Sequence, residues 1–325
     1  MSRHSSSLQQ SVAPPLLLLS DGHAGNRRQA EALARALGHA DAPHLTVTAT
    51  ACARLFAPRV LPGARRALGA PFQHVLQHPP AQVIGCGRQA ALATRLLRMC
   101  GSFAVQILDP RLNPRHWDVV IAPRHDGLTA ANVISMDGSL HAVDAASLAA
   151  ARQDFAALTN LPGPRVALLL GGASKHWPIA EKTLFAALHQ LAQRVAAQQG
   201  SLLISASRRT PDAWRQYLPR LQPALLWRDA QDGRNPYPGL LALADVIVCS
   251  ADSVNMLSEA AATCAPLYVI GSEYLHGRPA QFVHHLQAQG RIRNFVGTLE
   301  HFEVSPLRET ARVAEQLKKM MATHI

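Results

Sequence analysis

The sequence has few aromatic residues and no long hydrophobic run. Phe, Trp and Tyr make up 5% of the chain and apolar residues 48%, so Ala, Leu and Val must supply most of the core. The first residues are polar and rich in Ser and Gln, and the apolar run 16–19 is far too short to cross a bilayer. These absences predict a soluble globular protein with no visible export signal and no integral membrane segment.

The five cysteines are odd in number, and no two of them form a C-x-x-C pair. Most of them lie in apolar runs, where a free cysteine behaves as a small hydrophobe. This usage is typical of a reducing compartment, so we predict a cytoplasmic protein. Peripheral contact with the inner face of a membrane stays open.

The charge of the chain is strongly basic. There are 32 Lys and Arg against 21 Asp and Glu, which gives a net charge of +11, and only four of the cations are lysines. A surface rich in arginine suits nucleotide ligands, nucleic acid or anionic lipid, although genomic bias produces the same composition. Nucleic acid is disfavoured as a partner, because the chain has neither interleaved aromatic residues nor a recognisable binding module.

Short apolar runs alternate with longer, alanine-rich amphipathic segments. This alternation is typical of βαβ units, and 325 residues suffice for two cores. We therefore predict an α/β protein with two Rossmann-like, doubly wound domains. The predicted segments are a disordered N-terminus over 1–14, domains over 15–160 and 161–305, and a C-terminal helix over 306–325 that packs back on the first domain.

Three glycine turns, at residues 21–26, 85–88 and 171–175, follow predicted strands. Glycine lets the backbone approach an anion, and the helix that follows offers unpaired N–H groups. None of the turns matches G-x-G-x-x-G or G-x-x-x-x-G-K-[ST], which argues against a dinucleotide-binding oxidoreductase and a P-loop ATPase. A purely steric reason for each glycine stays open.

Residues 243–262 carry the most chemistry, because a buried strand enters a Ser-Ala-Asp-Ser turn and then an alanine-rich helix. Asp252 and Glu259 stand about two turns apart, on roughly one face of that helix. Glu259 is then able to accept both hydroxyls of a ribose, while Ser253 and the helix N-terminus hold a diphosphate. The alternatives are that Asp252 caps the helix and that Glu259 is a solvated surface residue.

These stretches together resemble a known family. Residues 245–260, the turn 171–175 and the turn 20–26 are similar to those of the mitochondrial-fission "elongated mitochondria" family. That family comprises plant fission factors and bacterial relatives, the latter often labelled predicted nucleoside-diphosphate-sugar epimerases. It is in turn similar to glycosyltransferases of the GT-B fold, in which two Rossmann-like domains face a cleft.

The resemblance implies roles for individual residues. The turn 171–175 would contact the donor phosphates, and Ser253 and Glu259 would hold phosphate and ribose. His23 or Asp21 would deprotonate the acceptor, and Lys175 and Arg208 would stabilise the departing diphosphate. The predicted catalytic residues are His23 and Asp21, and the predicted donor-binding residues are Gly171, Gly172, Ser174, Lys175, Arg208, Asp252, Ser253, Asn255 and Glu259.

We therefore predict a glycosyltransferase that moves a sugar from a nucleoside-diphosphate sugar to an envelope glycolipid or similar acceptor. The alternatives are a non-catalytic adaptor of the mitochondrial-fission type and a metal-free nucleotide-sugar epimerase. We predict no cofactor and no metal site, because the H-x-x-x-H pair His74 and His78 has no third ligand nearby.

Overall fold

The computed structural model of the chain describes residues 14–323. The N-terminus predicted over 1–14 therefore lies, apart from Pro14, outside the described residues. Contacts divide the chain into two units. Within the described residues, the first comprises residues 14–122, 128–135 and 313–323, and the second comprises Pro123–Gly127 and Met136–Arg312. The domain limits drawn from the sequence stay a prediction.

The first unit is built on a six-stranded parallel sheet. Its strands are β1 (Leu16–Ser20), β2 (His44–Thr46), β3 (Gln82–Cys86), β4 (Phe103–Ile107), β5 (Val119–Pro123) and β6 (Val133–Met136). They lie in the order β2-β1-β3-β4-β5-β6, so the chain reverses its direction of winding between β1 and β3. The central strands are continuous apolar runs with almost every residue buried, as expected when helices cover both faces of a parallel sheet.

The second unit contains another six-stranded parallel sheet with its own apolar core. Its strands are β7 (Arg165–Leu170), β8 (Ser201–Ala206), β9 (Leu225–Trp227), β10 (Val246–Ser250), β11 (Leu267–Ile270) and β12 (Ile292–Asn294). They lie in the order β12-β11-β10-β7-β8-β9. This order is that of a doubly wound dinucleotide-binding sheet, with β7 and β10 adjacent at the point where the winding reverses.

Helices connect successive strands in both units. They are α1 (Ala24–Ala36), α2 (Ala51–Phe56), α3 (Ala70–Gln77), α4 (Arg88–Arg98), α5 (Ala145–Asp154), α6 (Glu181–Ala197), α7 (Asp212–Tyr217), α8 (Tyr237–Leu243), α9 (Val254–Ala261), α10 (Arg278–Ala288) and α11 (Glu309–Ala322). In α6, Leu184, Leu188 and Leu191 recur at helical spacing and are fully buried, which fixes the face that packs on the core. None of the described helices is long and apolar enough to span a membrane.

The alanine-rich periodicity of the sequence predicts one helix over residues 54–68, and this prediction is wrong. The helix α2 ends at Phe56, and α3, which the sequence pattern did not predict, begins at Ala70. No helix forms over the whole predicted span because Pro58 and Pro62 lie inside it, and proline lacks the N–H that a helix interior needs. The sequence pattern also left α10 and β12 without a prediction.

Candidate functional site

The point of reversed winding in the second unit lies between β7 and β10, and the carboxyl ends of these two parallel strands are adjacent there. Ligands of open α/β sheets bind beyond strand ends at such a point. The loop over residues 171–177 follows β7, and the turn over residues 251–253 leads from β10 into α9. These two connections carry six of the nine predicted donor-binding residues, and a seventh, Asn255, lies in the first turn of α9.

Asp252 joins the loops of this site to one another. Its buried carboxylate accepts hydrogen bonds from the Gly172 N–H (3.0 Å), the Ser250 hydroxyl (2.6 Å) and the Arg209 guanidinium (2.7 Å). Burial raises the pKa of Asp252 above its ordinary value, although these three donors oppose the shift. Because the carboxylate already has three protein partners, we interpret Asp252 as a residue that positions the site rather than one that contacts a ligand.

Gly171 and Gly172 have a steric reason to be glycine. A Cβ atom on Gly171 would stand 2.0 Å from the Asp252 Oδ1 atom, and one on Gly172 would stand 2.1 Å from the Arg209 carbonyl oxygen. The Gly171 N–H donates to the Ser250 hydroxyl at 2.7 Å, as the Gly172 N–H does to Asp252. Both N–H groups are therefore engaged within the protein, and the glycines bring β7, β8 and β10 into close contact at their carboxyl ends.

The rest of the loop after β7 is held by Trp177. This side chain is fully buried, and its indole N–H donates to the Gly271 carbonyl at 2.7 Å, at the carboxyl end of β11. Between this anchor and the two glycines lie Ser174, which is half-buried, and Lys175, which is exposed. Among the described residues, the Lys175 ammonium has no ionic partner, and the same holds for the exposed Arg208 guanidinium after β8. Two cationic side chains therefore stand at this edge of the sheet.

Ser253 and Glu259 lie on α9 as the sequence predicts, and the structure adds a partner. Ser253, not Asp252, is the N-cap of the helix, and its hydroxyl accepts the Met256 N–H at 3.4 Å. Glu259 accepts a hydrogen bond from the Tyr237 hydroxyl at the start of α8, which orients its half-buried carboxylate. The sequence alone did not indicate this contact, because residues 237 and 259 belong to separate helices.

A buried arginine fixes the other end of α9. The Arg291 guanidinium donates to the carbonyl oxygens of Ala261 (2.9 Å) and Thr263 (2.9 Å) and lies near that of Ala260 (3.2 Å), where the helix C-terminus favours a cation. Burial lowers the pKa of Arg291 to about 10, so the group stays charged at neutral pH. Arg291 thereby sets the position of the helix that carries Ser253 and Glu259.

His23 and Asp21 lie in the first unit, at the carboxyl end of β1. The Asp21 carboxylate accepts a hydrogen bond from the Asn26 amide at 2.8 Å and lies 3.0 Å from the His23 Nδ1 atom. The Asp21 side chain is 9% exposed, whereas that of His23 is 77% exposed. An Nδ1–H that donates to Asp21 leaves the lone pair on Nε2, which is the arrangement that a general base requires.

The turn after β3 packs directly against this pair. A Cβ atom on Gly87, whose φ is +96°, would stand 2.6 Å from the Asp21 Oδ2 atom and 2.5 Å from the Asn26 amide nitrogen. Only glycine fits there, so the second glycine turn of the chain also has a steric reason. The exposed imidazole of His23 therefore lies at the switch point between β1 and β3.

Among the described residues, no group of three or more His, Cys, Asp and Glu side chains is arranged to hold a metal ion. His74 lies on α3 and His78 directly after it, with ring centroids 5.5 Å apart. A third ligand does not join this pair within the described part of the chain.

Two Rossmann-like domains, each with a six-stranded parallel sheet flanked by helices, define a protein of the GT-B fold. The UDP-GlcNAc 2-epimerase of Neisseria meningitidis, solved with UDP-GlcNAc bound, has a similar structure (TM-score 0.55, 12% identity, 95% of this chain and 99% of that one). The spinosyn forosaminyltransferase SpnP is similar to the same extent (TM-score 0.54, 13% identity, 95% of this chain and 91% of that one). Likenesses at this level of identity show the fold alone.

The family model for mitochondrial fission ELM1 proteins matches residues 24–321, and the chain belongs to that family. The mitochondrial fission protein ELM1 of Arabidopsis thaliana is 31% identical to it over 287 residues, which cover 75% of this chain. They cover 64% of the Arabidopsis protein, so the match spans less than two thirds of that relative's length. The resemblance inferred from the motifs is thus confirmed.

Proposed function

We propose that this protein is a glycosyltransferase that uses a nucleoside-diphosphate sugar as donor and a lipid-linked or glycolipid-type hydroxyl as acceptor. The observation that carries the proposal is the pairing of Asp21 with the exposed His23 at the switch point of the first unit. A non-catalytic platform has no need of an imidazole oriented by a largely buried carboxylate, whereas transfer to a hydroxyl needs a base of this kind.

The donor is assigned to the second unit. A nucleoside diphosphate suits the carboxyl ends of β7 and β10, with the Glu259 carboxylate accepting ribose hydroxyls and the N-terminus of α9 facing the diphosphate. Lys175 and Arg208 supply positive charge, and their side chains are not tied up in ion pairs with other described residues. Support also comes from fold relatives solved with UDP-GlcNAc or UDP bound.

The proposed reaction is a direct displacement that requires no metal. The acceptor O–H gives its proton to the His23 Nε2 atom while its oxygen forms a bond to the anomeric carbon of the sugar. The bond between that carbon and the diphosphate oxygen breaks, and the charge on the leaving diphosphate is stabilised by Lys175, Arg208 and the start of α9. Asp21 stabilises the imidazolium that forms, and a single displacement inverts the anomeric centre.

Replacing the proposed base, His23, should affect the rate of sugar transfer but not the binding of the nucleotide sugar. We expect His23→Ala to lower the transfer rate at least about 100-fold, the usual contribution of a general base, without weakening nucleotide binding. Product formation from a panel of nucleotide sugars with membrane lipid extracts as acceptors measures the rate, and calorimetry measures binding. The control is Arg28→Ala, because Arg28 is an exposed cation on α1, the helix that begins directly after His23. A His23→Ala variant that transfers sugar at the wild-type rate would contradict the proposal.

Epimerisation is the second candidate, because the N. meningitidis enzyme of the same fold is a UDP-GlcNAc 2-epimerase. An epimerase converts the nucleotide sugar with no acceptor present. Incubation with UDP-GlcNAc alone, followed by NMR of the sugar protons, therefore separates the two reactions. The adaptor alternative is favoured only if no nucleotide sugar binds and a defined protein partner is captured instead.

A further inference from the structure

One segment of the first unit combines cationic and apolar side chains on its surface. Residues 42–108 contain no Asp or Glu, although the chain has 21 acidic residues in all. The same segment holds Arg54, Arg59, Arg65 and Arg66, all exposed and none of them ion-paired with another described residue. The local charge is therefore positive and uncompensated.

Exposed apolar side chains are concentrated in the same place. Among the described residues, six large hydrophobic side chains are exposed, and three of them lie between residues 55 and 61. These are Leu55 (70% exposed), Phe56 (40%) and Leu61 (37%). The same segment borders a cavity of about 230 Å³ whose lining includes Ala53, Leu61, Pro62, Ala67 and Leu92. We call residues 52–66 the basic apolar patch.

The patch adjoins the edge of the sheet that carries His23. The Arg88 guanidinium, at the start of α4, donates to the Arg54 carbonyl at 2.5 Å, and the Ala49 N–H donates to the Gln89 side chain at 2.7 Å. Arg88 directly follows Gly87, which packs on Asp21. Arg88 and Gly87 therefore connect the patch to the Asp21 side of the Asp21–His23 pair in the same unit.

We propose that the basic apolar patch docks the protein on an anionic phospholipid bilayer. Arginines bind lipid phosphates by bidentate hydrogen bonds, and apolar side chains between them enter the boundary of headgroups and acyl chains. Both kinds of side chain are present, and the absence of acidic residues removes the repulsion that anionic headgroups would meet. Another protein, or a second copy of this chain with the same positive charge, is less well matched to such a surface.

Flotation of the full chain with lipid vesicles tests this proposal without any sugar substrate. We expect binding to phosphatidylcholine vesicles containing about 30% phosphatidylglycerol, none to pure phosphatidylcholine, and release by high salt. Combined Arg54→Gln, Arg65→Gln and Arg66→Gln should weaken binding about 100-fold, since each arginine near an anionic surface contributes a factor of about five. Combined Leu55→Gln and Phe56→Gln should weaken it about tenfold or more.

Matched variants show whether the effect is local. Lys182→Gln with Arg194→Gln and Arg220→Gln removes the same charge from the second unit, and Met99→Gln with Val296→Gln removes equally exposed apolar side chains elsewhere. Both sets should bind anionic vesicles as the wild type does. The proposal is overturned if the wild type does not bind anionic vesicles, or if the matched variants lose as much vesicle binding as the patch variants. It is also overturned if Leu55→Gln with Phe56→Gln dissociates a dimer of this chain and leaves vesicle binding unchanged.

The membrane-docking proposal and the proposed transfer reaction are tested independently of each other. His23→Ala should bind vesicles normally, because His23 lies outside the basic apolar patch. If vesicles bind but no sugar is transferred, docking stands and the proposed function does not.

Discussion

Replacing Asp252 by alanine removes the carboxylate that connects the loops after β7, β8 and β10. In the native protein this group accepts hydrogen bonds from the Gly172 N–H, the Ser250 hydroxyl and the Arg209 guanidinium. The side chain of Asp252 is fully buried, so water does not replace the lost acceptor. The variant leaves two buried donors without a partner.

The expected loss of stability follows from those contacts. An unsatisfied buried donor costs about 1–3 kcal/mol, and the Gly172 N–H and the Ser250 hydroxyl are two such groups. The Arg209 side chain is 53% exposed, so water solvates it and its loss adds less than about 1 kcal/mol. We expect Asp252→Ala to lower the free energy of unfolding by about 3–5 kcal/mol.

Urea unfolding followed by tryptophan fluorescence measures this loss, because Trp177 and Trp214 are buried in the same unit with ring centroids 6.1 Å apart. Asp154→Ala is the matched control, since Asp154 pairs with Arg234 at 2.6 Å on the surface of the same unit. The control should lose less than about 1 kcal/mol. Equal losses for the two variants, or a loss below about 1 kcal/mol for Asp252→Ala, would refute the assignment of Asp252 as a buried positioning residue.

Three further predictions concern other buried or paired groups. Burial lowers the pKa of His141 to about 4. The neutral imidazole therefore contributes its full stability above about pH 6.5, the ordinary pKa of histidine, and this contribution is lost as the pH falls toward 4. Between about pH 7 and pH 4.5, the free energy of unfolding in urea should fall up to about 3 kcal/mol further for the wild type than for His141→Phe, and equal falls would contradict this. Arg291→Met should lower the free energy of unfolding by about 3–5 kcal/mol, because carbonyl groups at the end of α9 lose their donor. The control Arg293→Met, at an exposed arginine, should lower it by about 1 kcal/mol or less. Thermal melts in which Arg293→Met is the less stable variant would contradict this role of Arg291. Tyr237→Phe should weaken nucleotide binding about tenfold in calorimetry by freeing the Glu259 carboxylate to move, and an unchanged affinity would count against that role.

Local patterns predicted the elements of the fold well wherever an apolar run ended at a turn. The sequence predicts strands over residues 165–170 and 267–270, and β7 and β11 have these bounds, because each is a mainly apolar run between a proline and a glycine. Prediction failed around Pro58 and Pro62, where alanine-rich periodicity favours a helix that proline interrupts. It also missed α10, whose start at Gly277, Arg278 and Pro279 lacks a Ser, Thr, Asp or Asn cap.

The contacts that build the candidate site depend on tertiary structure and could not be predicted in the same way. The alanine-rich run after the Ser-Ala-Asp-Ser turn predicts the helix that Ser253 caps and that carries Glu259. The contact of Asp252 with Arg209 and that of Glu259 with Tyr237 join residues from different strands and helices, so periodicity carries no signal for them. The Asp21–His23 pair is the exception, because a carboxylate two residues before a histidine in a turn is close enough to reach its ring.

The most direct test of a nucleotide-sugar site at β7, β10 and α9 is calorimetric titration of the protein and its Glu259→Ala variant with UDP, GDP, ADP and their sugar conjugates. We expect at least one diphosphate or its sugar to bind the wild type, and Glu259→Ala to weaken that binding about 10–100-fold through loss of hydrogen bonds to a charged group. Glu315→Ala, an exposed glutamate on α11, should bind as the wild type does. If Glu259→Ala binds every nucleotide with unchanged affinity, or if none binds the wild type, the assignment of this site is contradicted.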